Sequence, residues 1–238
     1  MRFFSSKELY VLASLLGMEF LIGVEGNTFE NNRAELRTLF RESYSQLEAK
    51  GIVDYKIDGT LYIDRDVRDI VELLNMADTV YLVATDHSGK LEKDNYLCRN
   101  NICCCLSETR SGYSVRKIDS IDTAVVLKEH NISWSKNTLA KMDVLLDDIR
   151  KLDGMYKSFN GMEADDYLAE LVVDNDIRDL IRDCLIKKND VFVMKKFVRK
   201  GSLLEMKEEL ILRFVKDCIL SFSLIDIETV SITIYKGA

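Results

Sequence analysis

The second half of this 238-residue chain partly repeats its first half. Residues Asp64 to Ile70 read D-R-D-V-R-D-I, and Asp174 to Leu180 read D-N-D-I-R-D-L. Asp64, Asp66, Arg68 and Asp69 recur as Asp174, Asp176, Arg178 and Asp179, while Val67 and Ile70 recur as Ile177 and Leu180. The likeness continues past the helix-like stretch. Val80-Tyr81-Leu82-Val83 is answered by Val191-Phe192-Val193-Met194, one residue out of phase, and three more strand-like runs follow in each half. Two copies of one supersecondary unit are implied, related by a pseudo-twofold axis. The copies divide the chain into 1–130 and 131–238.

The totals exclude several classes. An apolar fraction of 47% suits a globular chain, and no tract has a disordered composition. The net charge of −7 argues against a general nucleic-acid binder, which needs a basic face. No apolar run approaches the ~20 residues that span a bilayer, so no membrane insertion is expected. No signal peptide is read at Met1–Ser5, and the 6 cysteines then suggest reduced thiols in a cytoplasm.

Local signals give the elements. Ser5 and Glu8 form a capping box before Leu9, Leu12, Ala13 and Leu16, with Gly17 as the stop. A second helix is predicted from Asn32, with Glu35 in its capping position, to Gly51. Asp58-Gly59 marks a hairpin and a third helix covers 65–75. Strands are predicted at 79–85, 94–98, 102–108 and 113–118, then a helix at 121–129. The second half opens with helical patterns at 136–152 and 163–173, followed by the repeated helix at 176–186. Leu203 to Phe222 fits either period. The repeat decides for strands, because Ile102–Ser107 corresponds to Cys218–Ser223. Strands are therefore placed at 190–198, 203–212, 218–224 and 229–235, and a flexible joint at 154–161.

The search for chemistry finds no P-loop, no dinucleotide fingerprint and no nucleophile elbow. His87 sits beside Asp86 and Ser88 in a turn, but adjacent residues rarely converge as a triad. His130 follows a helix, a favourable place for a cation. Cys98, Cys103 and Cys105 would share one face if Asn100-Asn101 is a two-residue turn, with Cys104 on the other. They read as packing residues rather than as a zinc site, which would need a fourth ligand. Asp147-Asp148 and Asp165-Asp166 read as solvated helix faces. Arg33, Arg37 and Arg41 before the Asp58-Gly59 hairpin suggest a winged-helix DNA-binding regulator as the alternative reading. That region is net acidic, and the charges also read as an ion-pair stripe.

The N-terminal pattern resembles a known family. It runs F-S-S-K-E-L-Y-V-L-A-S-L-L-G, then L-E-A-K-G-I-V-D-Y-K-I-D-G-T-L-Y-I-D, then the helix at Asp66–Leu74 and the strand start Asp78-Thr79-Val80-Tyr81. This is similar to the EspG family of ESX, or type VII, secretion-associated proteins. The chain has no proline and is rich in lysine and isoleucine, which would make it a distant member. The resemblance implies an α+β fold with an internal pseudo-twofold repeat, in which a central antiparallel sheet is flanked by helical subdomains. It also implies a non-enzymatic cytosolic chaperone without cofactor or metal. The partner would be a helical-hairpin secretion substrate, of WXG, LXG or PE/PPE-like type. Partner contact is expected at the loop Arg99-Asn100-Asn101, since loops held by a rigid sheet suit recognition.

Overall fold

The two aspartates that open the repeat are both helix N-caps. The Asp64 carboxylate accepts from the Val67 N–H, and that of Asp174 accepts from the N–H groups of Asp176 and Ile177. Each cap satisfies N–H groups that the first turn leaves without a partner. The computed structural model describes residues 1–24, 33–158, 160–187 and 189–237, with the backbone alone for 33 and 134–137. The expected start of the second helix at Asn32 lies outside the described residues.

The first half runs β1 (Arg2–Phe4), α1 (Ser6–Leu15), α2 (Arg33–Ala49), β2 (Val53–Tyr55), β3 (Leu61–Ile63), α3 (Arg65–Met76), β4 (Thr79–His87), β5 (Lys90–Arg99), β6 (Ile102–Thr109) and β7 (Gly112–Ile118). The helix α4 (Thr123–Glu129) leads to β8 (Trp134–Leu145), α5 (Leu146–Lys157), α6 (Gly161–Leu171), α7 (Asn175–Ile186), β9 (Asp190–Lys200), β10 (Leu203–Val215), β11 (Cys218–Leu224) and β12 (Thr229–Gly237). The order strand, helices, repeated helix, four-strand meander therefore occurs twice. A 10-stranded sheet has the order β1-β7-β6-β5-β4-β9-β10-β11-β12-β8, and β2 and β3 form a separate hairpin.

Sequence and structure agree at the capping box. Ser5 Oγ accepts from the Glu8 N–H, and the Glu8 carboxylate accepts from the Ser5 N–H. Glu8 is buried, and its second oxygen meets Lys50 Nζ at 2.5 Å, so its charge has a partner. The stretch from Leu203 to Phe222 forms two strands, as the repeat requires. The one-residue phase difference between the copies also has a source: residues 77–78 join α3 to β4, whereas 187–189 join α7 to β9.

One expected helix is corrected. Residues 136–152 are not helical throughout, because β8 runs to Leu145 and α5 begins only at Leu146. Ala140, Met142 and Val144 alternate onto the core, which is a strand period. The expected joint at 154–161 is also modified, since Gly154 lies inside α5.

The chain forms two units. The first holds residues 1–82, 93–123 and 196–205, and the second holds 83–92, 124–195 and 206–238. In the first unit, α1, α2 and α3 bury Leu9, Leu12, Leu47, Val67 and Leu74 against Leu97, Cys104, Leu106 and Val115 of the sheet. In the second, α5, α6 and α7 bury Leu152, Leu168, Ile181 and Cys184 against Leu220, Val230, Ile232 and Ile234. Two tyrosine–carboxylate bonds tie α5 to α6. Tyr156 donates to Asp165 at 2.8 Å and Tyr167 donates to Asp148 at 2.5 Å. These aspartates clamp helices rather than merely facing solvent.

Candidate functional site

The strand registers place the two copies in correspondence residue by residue. In the first unit, Asn95, Leu106 and Val115 form one row across β5, β6 and β7. In the second, Ile211, Phe222 and Ile232 form the same row across β10, β11 and β12. The caps Asp64 and Asp174 align α3 with α7, so Leu74 corresponds to Cys184 and Asn75 to Leu185. The edge pairs Phe4↔Tyr113 and Val144↔Val230 align α1 with α5, so Leu12 corresponds to Leu152 and Ser5 to Leu145.

Against this background the second unit has an open cleft of about 410 Å³. Its floor is Ile211, Arg213 and Phe222, with Val230 beneath. Ile149 of α5 and Leu185 of α7 form its walls. Few groups in it are polar. Arg213 Nη1 donates to the Cys184 carbonyl at 3.0 Å, and Glu209 pairs with Lys195 at 2.9 Å. Burial pushes the Cys184 thiol up to about 11, so it stays protonated and unreactive at neutral pH. Such a concave apolar surface with few polar groups is the usual form of a binding site.

The mouth of the cleft is apolar too. Leu224 lines it and is exposed, and Ile225 and Ile227 follow in the β11–β12 turn, Ile227 at 93% exposure. Leu145 is also exposed, and beside it the Leu146 N–H donates to the Glu228 carbonyl at 2.7 Å. Leu145 stands where the first copy has its capping Ser5, and it makes no side-chain cap bond. Apolar side chains thus gather around an apolar opening, a surface of the kind that interaction sites present.

The residues singled out in the sequence fall elsewhere. Arg99, Asn100 and Asn101 form the β5–β6 turn. Both asparagines have positive φ, 49° and 64°, as a two-residue hairpin turn requires. Arg99 and Asn100 line a hollow of about 230 Å³ with Asp69, Glu72 and Leu73 of α3. The turn sets Cys98 opposite Cys103, with the two sulfur atoms adjacent. Cys104 faces the helices and burial pushes its thiol up to about 12. His87 does not meet a serine: its Nδ1 lies 2.5 Å from Asp190, while Ser88 donates its N–H to that same carboxylate. His130 packs edge-on against Phe192 at 5.5 Å. Arg37 and Arg41 are exposed on α2.

The cleft was not read from the sequence. Its signal was a difference in length between the copies. Residues 16–32 separate α1 from α2, but only 158–160 separate α5 from α6.

The same fold occurs in a solved structure, the Mycobacterium tuberculosis type VII secretion system chaperone EspG5 in complex with the PE25–PPE41 dimer. The likeness has a TM-score of 0.70 at 9% sequence identity, over 96% of this chain and 88% of that one. No protein-family model matches the chain, and no curated protein matches it by sequence. The chain thus has the EspG-like α+β fold that the N-terminal pattern implied. Among the described residues, no helix is long and apolar enough to cross a membrane.

Proposed function

We propose that this EspG-like protein is a cytoplasmic, non-enzymatic chaperone of a type VII secretion system, which binds a helical-hairpin substrate before export. The observation that carries this reading is the open apolar cleft, with its exposed apolar mouth, in a fold shared with a chaperone solved on its PE25–PPE41 partner. A substrate that exposes apolar surface before it reaches its final assembly aggregates unless that surface is covered. The cleft and the Leu224–Ile227 turn offer such cover. The protonated Cys184 thiol supports a binding role over a nucleophilic one. The partner class is a PE/PPE-like pair or a WXG- or LXG-type hairpin.

The test is capture from native lysate with the tagged full chain. Recovery of a secreted helical-hairpin protein at defined stoichiometry is expected. Recovery of none, under conditions where the bait stays folded, would overturn the reading.

A further inference from the structure

The two edge strands of the large sheet differ in length. One is β1, with 3 residues, and the other is β8, with 12. A short edge offers little to pair with, whereas a long one presents a row of main-chain N–H and C=O groups that another strand can meet. Among the described residues no strand lies beyond β8. Its pairing with β12 is regular from Ala140 to Leu145 and bulged before that. The devices that usually protect an edge are missing from the regular stretch. It holds no proline and no bulge, and its two charged side chains, Lys141 and Asp143, are of opposite sign.

The direction of the unused groups follows from the ladder. The Leu146 N–H donates to the Glu228 carbonyl, in register with the pair Leu145↔Thr229. Main-chain groups alternate along a strand, so Val144 and Met142 also turn theirs to β12, while Lys141 and Asp143 turn theirs to the open edge. The side chains alternate between the two faces. Ala140, Met142 and Val144 pack on the core. Leu139, Lys141, Asp143 and Leu145 are exposed, the two leucines at 56% and 51%. The side chains of Lys141 and Asp143 have no ion-pair or hydrogen-bond partner among the described residues.

We propose that β8 pairs with β8 of a second copy of this chain, antiparallel about a twofold axis at Met142. Such a pairing has one free choice, the residue at the axis. With Met142 there, Lys141 stands opposite the partner's Asp143, and Asp143 opposite the partner's Lys141. Both residues turn their main chain to the edge, so each such pair exchanges both main-chain hydrogen bonds. Their side chains meet on one face as cross-strand ion pairs. Leu139 comes opposite the partner's Leu145, which takes exposed apolar surface out of water at both ends. Other axes fit worse. An axis at Lys141 or at Asp143 sets like charges against each other, which destabilises a pair. An axis at Ala140 sets Lys141 against the partner's Leu139, and one at Val144 sets Asp143 against the partner's Leu145. The edge is thus complementary to itself in one register, which points to a second copy rather than to a foreign strand. The proposal stands on this strand alone and does not depend on the chaperone reading.

Sedimentation velocity of the full chain over a concentration series reads the assembly. A monomer–dimer equilibrium is expected below about 0.5 mM protein. Lys141→Glu and Asp143→Lys each set like charges across the axis, and each should raise the dissociation constant about tenfold or more. Mixed in equal amounts, the two variants oppose unlike charges again, and the dimer returns. Lys141→Glu with Asp143→Lys in one chain restores it as well, and this double variant reads the same register should either single variant melt early. Melting curves show which variants remain folded. The proposal is overturned if the unaltered chain stays monomeric at about 0.5 mM. It is equally overturned if it dimerises and folded single variants dimerise as well as it does, since another face then makes the contact. A folded double variant that stays as monomeric as the single ones, or a mixture that does, overturns the register and the proposal with it. None of these outcomes bears on capture of a secreted protein, so the chaperone reading is tested separately.

Discussion

Asp183 is one residue whose charge the fold uses. It is largely buried at the end of α7, with Lys216 at 2.9 Å and Lys187 at 3.0 Å. Hydrogen bonds from Lys216, then Lys187, hold its carboxyl below the usual 3.8. The folded state therefore favours the ionised form. The stability this supplies is present above the unfolded value near pH 4 and is lost as the pH falls through the lowered folded value. Asp183→Asn is expected to cost about 1 kcal/mol at neutral pH, with the gap to the unaltered protein closing below about pH 4. Urea unfolding across that range checks it, and a gap that stays constant to pH 3 would reject the role assigned to the ionised carboxylate. Lys216 is raised above 10.5 by the same bond, so its share persists below that value and disappears as the pH rises through the raised one. Arg99 offers a contrast, because its interest lies in binding. Arg99→Glu adds a third carboxylate to the hollow lined by Asp69 and Glu72, so Arg99→Gln is the cleaner change. If the β5–β6 turn touches the partner, Arg99→Gln weakens capture several-fold, on the order of 1 kcal/mol for a rim contact, at an unchanged melting temperature. Equal affinity of the two proteins for the captured substrate would remove this turn from the interface.

At the scale of elements, the short β1 depends on one glycine. Gly112 opens β7 with φ +144°, and a Cβ there would lie 2.2 Å from the Phe4 carbonyl oxygen and 2.8 Å from Ser5 Cα. Both are backbone atoms, so β1 and the α1 cap would have to move. Gly112→Ala is expected to cost about 3 kcal/mol or more through lost pairing and lost burial of Phe4. A variant within about 0.5 kcal/mol of the unaltered protein in denaturant unfolding would show that β1 yields freely. Elements with local punctuation were legible in the sequence: the Ser5–Glu8 box and the Asn100-Asn101 turn both state their role within four residues. The strands β10 and β11 were ambiguous alone and became legible through their counterparts. The strand β8 was missed because Leu139, Met142, Leu146 and Ile149 keep a helical spacing across the strand–helix boundary. Leu145, in the place of the capping Ser5, gives no mark of that boundary. Its first-half counterpart, β1, is only 3 residues long, too short to show a period of its own. The cleft was illegible for another reason, since it is made by a segment that one copy has and the other lacks.

The whole molecule carries a net charge of −7 and a pI near 5.1, which bears on how any partner is held. A winged-helix reading needs phosphate contacts, and several such contacts would lower affinity by roughly 10³-fold or more between about 50 and 200 mM salt. A cleft floored by Ile211, Phe222 and Val230 gains its free energy from apolar burial, which salt screens little. Both readings use the same chain and predict different salt dependence, steep for DNA and shallow for the cleft. For a captured secretion substrate, affinity is expected to change less than about threefold between roughly 50 and 500 mM sodium chloride. Duplex DNA of mixed sequence should not be retained at about 150 mM, because an acidic molecule repels the phosphate backbone. Titration of both ligands across the salt range, with Arg37→Ala beside the unaltered chain, separates the cases. Tight DNA binding that falls steeply with salt and weakens on Arg37→Ala would transfer function to α2. A salt-insensitive substrate that is lost on Ile211→Glu would assign it to the cleft.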